Sequence, residues 1–171
     1  MAEHEIPATP ENMVWGYLDA TVKPVLTVDS GDVVTLSSFP AGGKESLPRQ
    51  ADLIPADYRL ALDTMVQGAG SHFITGPVYV RGAKPGDTLQ VDILAAKPHM
   101  DWGFVSILPL LGTLPAEFTD YETIHPKIDH ERNVCILPWG MELPLDPFFG
   151  IIATAPPKAW GRCGWPRRLS G

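Results

Sequence analysis

Gly76-Pro77-Val78-Tyr79-Val80-Arg81-Gly82-Ala83-Lys84-Pro85-Gly86-Asp87-Thr88-Leu89-Gln90-Val91-Asp92-Ile93 is the stretch that decides the fold class. Val78 and Val80 alternate with Tyr79 and Arg81. Leu89, Val91 and Ile93 alternate with Gln90 and Asp92. A period of two is the pattern of half-buried strands. Between the runs, Gly82 and Gly86 reach positive φ without penalty and Pro85 fixes its own φ, so the chain reverses. The stretch predicts a β-hairpin over 78–93 with a loop longer than two residues. Working outward, Val25-Leu26-Thr27-Val28, Asp29-Ser30-Gly31-Asp32 and Val33-Val34-Thr35-Leu36 repeat the order strand, Gly-Asp turn, strand. This predicts a second hairpin over 25–36, although Gly-Asp closes many unrelated turns and the match is too short to establish a repeat. With 18 Pro and 16 Gly as punctuation, the predicted fold is mostly β: an antiparallel β-sandwich or distorted barrel with one or two short helices. The best helix lies over 55–67. Pro55 suits its first position, and Tyr58, Leu62, Met65 and Val66 make an apolar stripe. Gly68-Ala69-Gly70 stops it.

Composition narrows the function classes. The 171 residues are 44% apolar and 19% charged, which fits one folded domain over 1–171 rather than a disordered chain. A net charge of −7 argues against nucleic acid, whose phosphates need clustered Lys and Arg. The basic residues that do cluster are Arg162, Arg167 and Arg168. Two cysteines, Cys135 and Cys163, make neither a disulfide framework nor a four-ligand zinc set, and fit a reduced, cytoplasmic setting. The acidic start Met1-Ala2-Glu3-His4-Glu5 is unlike a signal peptide, and no apolar run reaches the ~20 residues of a membrane span. Residues 1–14 read as an extended arm. Val14-Trp15-Gly16-Tyr17 reads as a short strand ending near Asp19.

Several polar residues have both a chemical and a structural reading. Asp19 is a site residue at a strand end or a turn aspartate. His72 follows a Gly-rich link and enters the central stretch, as a site imidazole or as a tolerated loop residue. His99 and Asp101, two apart, would share a strand face as a metal or acid/base pair, or else belong to a polar loop. His125, Asp129 and His130 have ligand-like spacing inside a segment dense enough in charge to be simply solvated. Cys135, in an apolar run, reads as a buried inert thiol. Phosphate-loop, dinucleotide-binding, nucleophile-elbow and zincin motifs are all absent from the sequence.

Pro24-Val25-Leu26-Thr27-Val28-Asp29-Ser30-Gly31-Asp32 and His72-Phe73-Ile74-Thr75-Gly76-Pro77-Val78-Tyr79-Val80, running on to Gly86-Asp87, resemble the acetamidase/formamidase family. Phe148-Phe149-Gly150-Ile151-Ile152-Ala153 is similar to a further stretch of that family, with Ala153 standing at a glycine-like position. The resemblance spans about residues 10–160. It implies a hydrolase of carbon–nitrogen bonds other than peptide bonds, taking small linear amides such as formamide and acetamide to carboxylate and ammonia. It places Asp19 and His72 nearest the chemistry, with His99 and Asp101 as candidate ligands of a divalent metal, zinc or calcium. A homo-oligomer, with neither nucleic acid nor membrane as partner, is the expected assembly. A non-catalytic β-domain for binding or assembly is the alternative. The family also continues past the stretch matching residues 148–156 through segments rich in acid, base and ligand groups, which this sequence lacks. The chain is therefore expected to be the N-terminal part of such a fold, ending in a non-native or disordered tail over 165–171 from a truncation or shifted frame. Alone it is expected to associate, with little or no amidase activity.

Overall fold

The computed structural model describes residues 1–163, so the tail expected over 165–171 lies outside the described residues. They fall into two compact units. The first comprises Met1–Gly42, Pro55–Ala95 and the described residues from Gly150 onward; the second comprises Gly43–Ile54 and Ala96–Phe149. Both are built from short strands, and α1 (Ala56–Thr64) is the one α-helix among the described residues, so the β-rich class read from the sequence holds. The sheets are small and unclosed.

The first unit carries β1 (Glu3–Ile6), β2 (Met13–Trp15), β3 (Leu26–Val28), β4 (Val33–Leu36), α1, β5 (Phe73–Thr75) and β6 (Val78–Val80). Strands form where alternation predicted them over 25–36 and at 78–80, but the hairpins do not. β4 pairs in parallel with β1, matching Glu3 to Val33 and Ile6 to Leu36. β3 pairs in parallel with β6, matching Leu26 to Val78. β2 and β5 are antiparallel, with Trp15 opposite Phe73. Residues 88–93, the expected second arm, belong to no strand. The alternation was sound as a statement about faces. It carried no information about partners, because the ladders here join distant segments.

The Gly-Asp turns themselves are as expected, and both close in the same way. The Asp29 amide donates to Asp32 Oδ2 (3.1 Å) and the Asp32 amide to the Asp29 carbonyl (3.2 Å). The Lys84 amide donates to Asp87 Oδ2 (2.8 Å) and the Asp87 amide to the Lys84 carbonyl (3.0 Å). In the first turn the other carboxylate oxygen, Asp32 Oδ1, accepts from the Ala2 amide at 2.7 Å and so fixes the start of β1. Residues 1–14 are thus not a loose arm: Ile6, Ala8, Met13 and Val14 are buried.

Hydrogen bonds from the Ala2 and Asp29 amides, with the His4 ring as a further donor, hold the Asp32 carboxyl down at about 2. A carboxylate whose folded value lies below its unfolded one, about 3.9, contributes fully above that unfolded value and loses its contribution as pH falls through the folded one. The protection of the His4–Ile6 amides, taken relative to their intrinsic exchange at each pH, is therefore expected to fall between about pH 4 and pH 2 before the rest of the unit opens. Asp32→Asn is expected to remove that dependence. Protection of β1 that is flat over this range would count against the clamp.

The core of the unit is aromatic. Trp15 stacks on Phe73 with centroids 4.6 Å apart, Phe39 stacks on Tyr58 at 4.9 Å, and Phe73 meets both Phe39 and Tyr58 edge-on at 5.8 Å. Such pairs add to the area that they bury. Tyr58, Ala61 and Leu62 are the buried face of α1, which begins one residue after Pro55. The chain turns extended at Met65, so the helix is shorter than the expected 55–67, and Val66 is exposed. The Tyr58 hydroxyl, on a ring with no exposed surface, donates to the Pro40 carbonyl at 3.3 Å. Tyr58→Phe is expected to cost about 1 kcal/mol, readable as a lowered urea midpoint at unchanged slope. No change in midpoint would mean that the bond adds nothing to the ring's packing.

The second unit carries β7 (Val105–Ile107), β8 (Glu122–Ile124), β9 (Lys127–Asp129), β10 (Val134–Ile136) and β11 (Glu142–Pro144). β7 and β8 are antiparallel, and β9, β10 and β11 form an antiparallel meander with β10 at its centre. Met100, Trp102 and Ile128 are its buried apolar residues. Cys135 lies on β10 and is half-buried, opposite Ile128 and Leu143.

Candidate functional site

In the first unit the β2–β5 ladder continues past its end into a run of glycines. The Gly16 amide donates to the His72 carbonyl (2.8 Å), the Gly68 amide to the Trp15 carbonyl (2.8 Å) and the Gly70 amide to the Gly16 carbonyl (2.9 Å). The Ser71 carbonyl accepts from the Gly42 amide at 2.8 Å and from Trp15 Nε1 at 3.2 Å. His72 is thereby fixed by its backbone and the backbone of its neighbour, and its Nδ1 is shielded from solvent. The Gly-rich link is a close-packed backbone crossing. Gly16 has φ +77°, and a Cβ there would lie 2.1 Å from the Gly70 carbonyl oxygen. Only glycine fits.

Asp19 follows three residues after Gly16, on the segment leaving that crossing. Its Oδ1 accepts from the Thr21 hydroxyl (2.7 Å) and the Thr21 amide (2.8 Å), and the Val22 amide closes the turn onto its carbonyl. These Thr21 bonds, with the Arg162 charge as a smaller contribution, hold its carboxyl below the usual carboxylate range. At neutral pH it is an anion and a weak proton acceptor, better suited to holding a cation or a donor than to abstracting a proton. Arg162 lies over the Tyr17 ring at 4.0 Å, in cation–π contact. Leu18 and Cys163 exchange both backbone bonds, at 2.7 and 2.8 Å. Asp19 thus has the turn geometry that its type favours, within reach of a fixed positive charge. No local pattern signals that residues 162–163 pair alongside Leu18.

In the second unit, His99 is exposed and Asp101 meets a different imidazole from the one expected. Asp101 Oδ1 lies 3.0 Å from His130 Nε2. The backbone explains the pairing. The Ile128 amide donates to the Asp101 carbonyl (2.8 Å) and the Gly103 amide to the Pro126 carbonyl (3.0 Å), with a bridge between Trp102 and Lys127. This lays residues 101–103 against 126–128 and carries Asp101 to His130. Spacing within 99–101 could not show it, since the contact comes from an antiparallel pairing across a long separation. Trp102 is buried, donates from Nε1 to the Leu53 carbonyl at 2.9 Å, and has the His125 ring on its edge, centroids 5.9 Å apart. His125 Nε2 is 2.9 Å from the Ser46 carbonyl, so this histidine anchors a loop.

The donor groups for a metal are therefore spread out. Among the described residues no three His, Cys, Asp or Glu side chains gather where an ion could sit. A site for zinc or calcium needs four or more ligands. The described residues do not fit such a site. A cavity of about 350 Å³ in the second unit is lined by residues including Ile107, Leu108, Leu111 and Phe118, with no titratable group among its lining residues. It offers apolar space and no acid or base. No helix among the described residues is long and apolar enough to cross a membrane.

Comparison with known proteins places these elements. A crystal structure of an acetamidase from Bacillus halodurans superposes with a TM-score of 0.68 at 25% identity, over 93% of this chain and 48% of that one. A recombinant predicted acetamidase/formamidase from the thermophile Thermoanaerobacter tengcongensis superposes with a TM-score of 0.65 at 18% identity, over 96% of this chain and 49% of that one. The second match speaks for the fold alone. The chain spans about half the length of each of these two structures. No curated protein matches it. The sequence model of the Acetamidase/Formamidase family matches residues 20–162, most of the chain. The chain belongs to the Acetamidase/Formamidase family.

Proposed function

We propose that the chain is part of an amidohydrolase that cleaves small linear amides, formamide or acetamide, to a carboxylate and ammonia. The observation that carries this is the family match over residues 20–162. The chemistry requires an activated water, polarisation of the carbonyl and protonation of the leaving nitrogen. His72, held by its backbone at the glycine crossing, supplies the proton-transfer group. Asp19, ionised in its turn, orients a donor or cation beside it. Asp101 with His130 is a carboxylate–imidazole pair in the other unit. A zinc or calcium ion, if the reaction uses one, would draw ligands from beyond the described residues. A homo-oligomer in the cytoplasm is the setting in which we place the activity.

The chain alone is expected to release little or no ammonia, since it covers about half of the acetamidase that it resembles. The test is ammonia release from formamide and acetamide, with and without Zn²⁺ or Ca²⁺. It is run for residues 1–171 alone and mixed with the polypeptide making up the remainder of the Bacillus halodurans acetamidase. Activity in the mixture is the expected result. Turnover of about 1 s⁻¹ or more by the chain alone would overturn the expected inactivity. No release by any folded sample would overturn the amidase reading in favour of a binding module.

A further inference from the structure

Amide hydrolysis requires a donor on the carbonyl oxygen, and Arg162 has the position for it. Leu18 and Cys163 exchange both backbone bonds as an antiparallel pair. That register sets Asp19 opposite Arg162, while Tyr17 and Asp19, two apart in extended chain, share a face. The side chains agree with it: the Arg162 guanidinium lies over the Tyr17 ring at 4.0 Å, and its charge bears on Asp19. Stacking uses the face of the guanidinium and leaves the N–H donors at its edge, which have no hydrogen-bond partner among the described residues. Asp19 is held through Oδ1 alone, by the Thr21 hydroxyl and amide, so Oδ2 keeps its lone pairs. Arg162 is exposed, and Tyr17 and Asp19 are half-buried, so a small molecule can reach both charges. The result is a fixed cationic donor beside a fixed anionic acceptor, both braced on one strand pair.

We propose that Arg162 and Asp19 together read the primary amide group of the substrate: Arg162 donates to the carbonyl oxygen, and Asp19 Oδ2 accepts from the amide nitrogen. A primary amide carries an acceptor and a donor side by side on one planar edge, the complement of this pair. A carboxylate has acceptors at both places. Its second oxygen would face Asp19 with no proton between them, so the product of hydrolysis is disfavoured where the substrate is held. An N,N-dialkyl amide keeps the oxygen but brings no N–H to Asp19. A site built to hydrogen-bond a substrate N–H rejects the analogue lacking it. The stacking on Tyr17 holds the guanidinium in place without consuming its donors. The choice of ligand rests on the proposed amide hydrolysis, but binding can be read without turnover.

The experiment is a proton–nitrogen NMR titration of residues 1–171 with acetamide, N,N-dimethylacetamide and acetate, following the Arg162 Nε–H and the Thr21 amide. Acetamide is expected to shift both resonances, and N,N-dimethylacetamide to bind about tenfold more weakly. Arg162→Lys is expected to weaken acetamide by about tenfold, since an ammonium neither forks nor stacks as a guanidinium does. Acetate is expected to bind the parent chain more weakly than acetamide does. In Asp19→Asn that order is expected to reverse, because the substituted side chain can turn an N–H to the second oxygen. Unchanged protection of the Leu18 and Cys163 amides shows that each variant keeps the strand pair. Acetamide that shifts neither resonance would overturn the site, and so would variants that bind it as the parent does or an order of acetate and acetamide that Asp19→Asn leaves alone. Any of these results alongside ammonia release by the mixture with the remainder of the Bacillus halodurans acetamidase would remove the site and leave the amidase reading. Selective acetamide binding with no ammonia release by any sample would remove the amidase reading and leave the site.

Discussion

Gly16→Ala is expected to unfold the first unit at temperatures where the parent chain is folded. The residue sits at φ +77°, where a side chain is strained, and its Cβ would lie 2.1 Å from the Gly70 carbonyl oxygen. The obstacle is backbone, held by the Gly70 amide bond back to Gly16, so it cannot swing aside as a side-chain tip could. The strain alone is worth about 1–3 kcal/mol, and the displacement of Gly70 adds to it. A loss above about 3 kcal/mol is a large part of the stability of a domain this size. The measurement is urea unfolding followed by tryptophan fluorescence, since Trp15 lies beside the crossing. Gly31→Ala is the control, because Gly31 also has positive φ but a Cβ there would meet nothing within 4 Å. Equal losses in the two variants would mean that φ alone matters and that the crossing is not tight.

His72→Ala is expected to lower amide hydrolysis by about 10²–10⁴-fold in the reconstituted enzyme, the range for loss of a proton-transfer group, while the melting temperature moves little. The asymmetry follows from how the residue is held. Its carbonyl takes the Gly16 amide, and the neighbouring Ser71 carbonyl takes the Gly42 amide and Trp15 Nε1. Activity and melting temperature are measured on the same preparations. Loss of both in parallel would mark His72 as a packing residue.

The sequence was most readable where structure is local. The helix could be placed because Tyr58 and Leu62 repeat on one face, and both are buried. The turns at 29–32 and 84–87 could be placed because an aspartate bonds its own neighbourhood. The turn reading of Asp19 was available for the same reason, and its bonds to Thr21 bear that reading out. What stayed hidden was non-local. Alternation at 26–28 and 33–36 gave strands without partners, so two parallel pairings were read as hairpins. Residues 88–93 have the pattern of a strand, but a strand needs a neighbour, and the described chain supplies none. The pairing of Asp101 with His130 was invisible for a like reason: 99 and 101 are close in sequence, whereas 101 and 130 are brought together by the ladder between 101–103 and 126–128.

The ladders of the first unit have a kinetic meaning as well. Trp15 bonds to Ser71 across 56 residues, Arg81 pairs with Asp29 across 52, and Leu18 exchanges bonds with Cys163. The second unit's sequence lies between these partners. A chain with so high a contact order closes large loops before its contacts reward it, and folds slowly. On the ribosome, the strand that begins at Glu3 can clasp β4 early, while Leu18 must wait until almost the whole described chain has emerged. Until then the aromatic cluster and the edges beside it are open to misassembly, and chaperone dependence during synthesis is the physiological signature to expect.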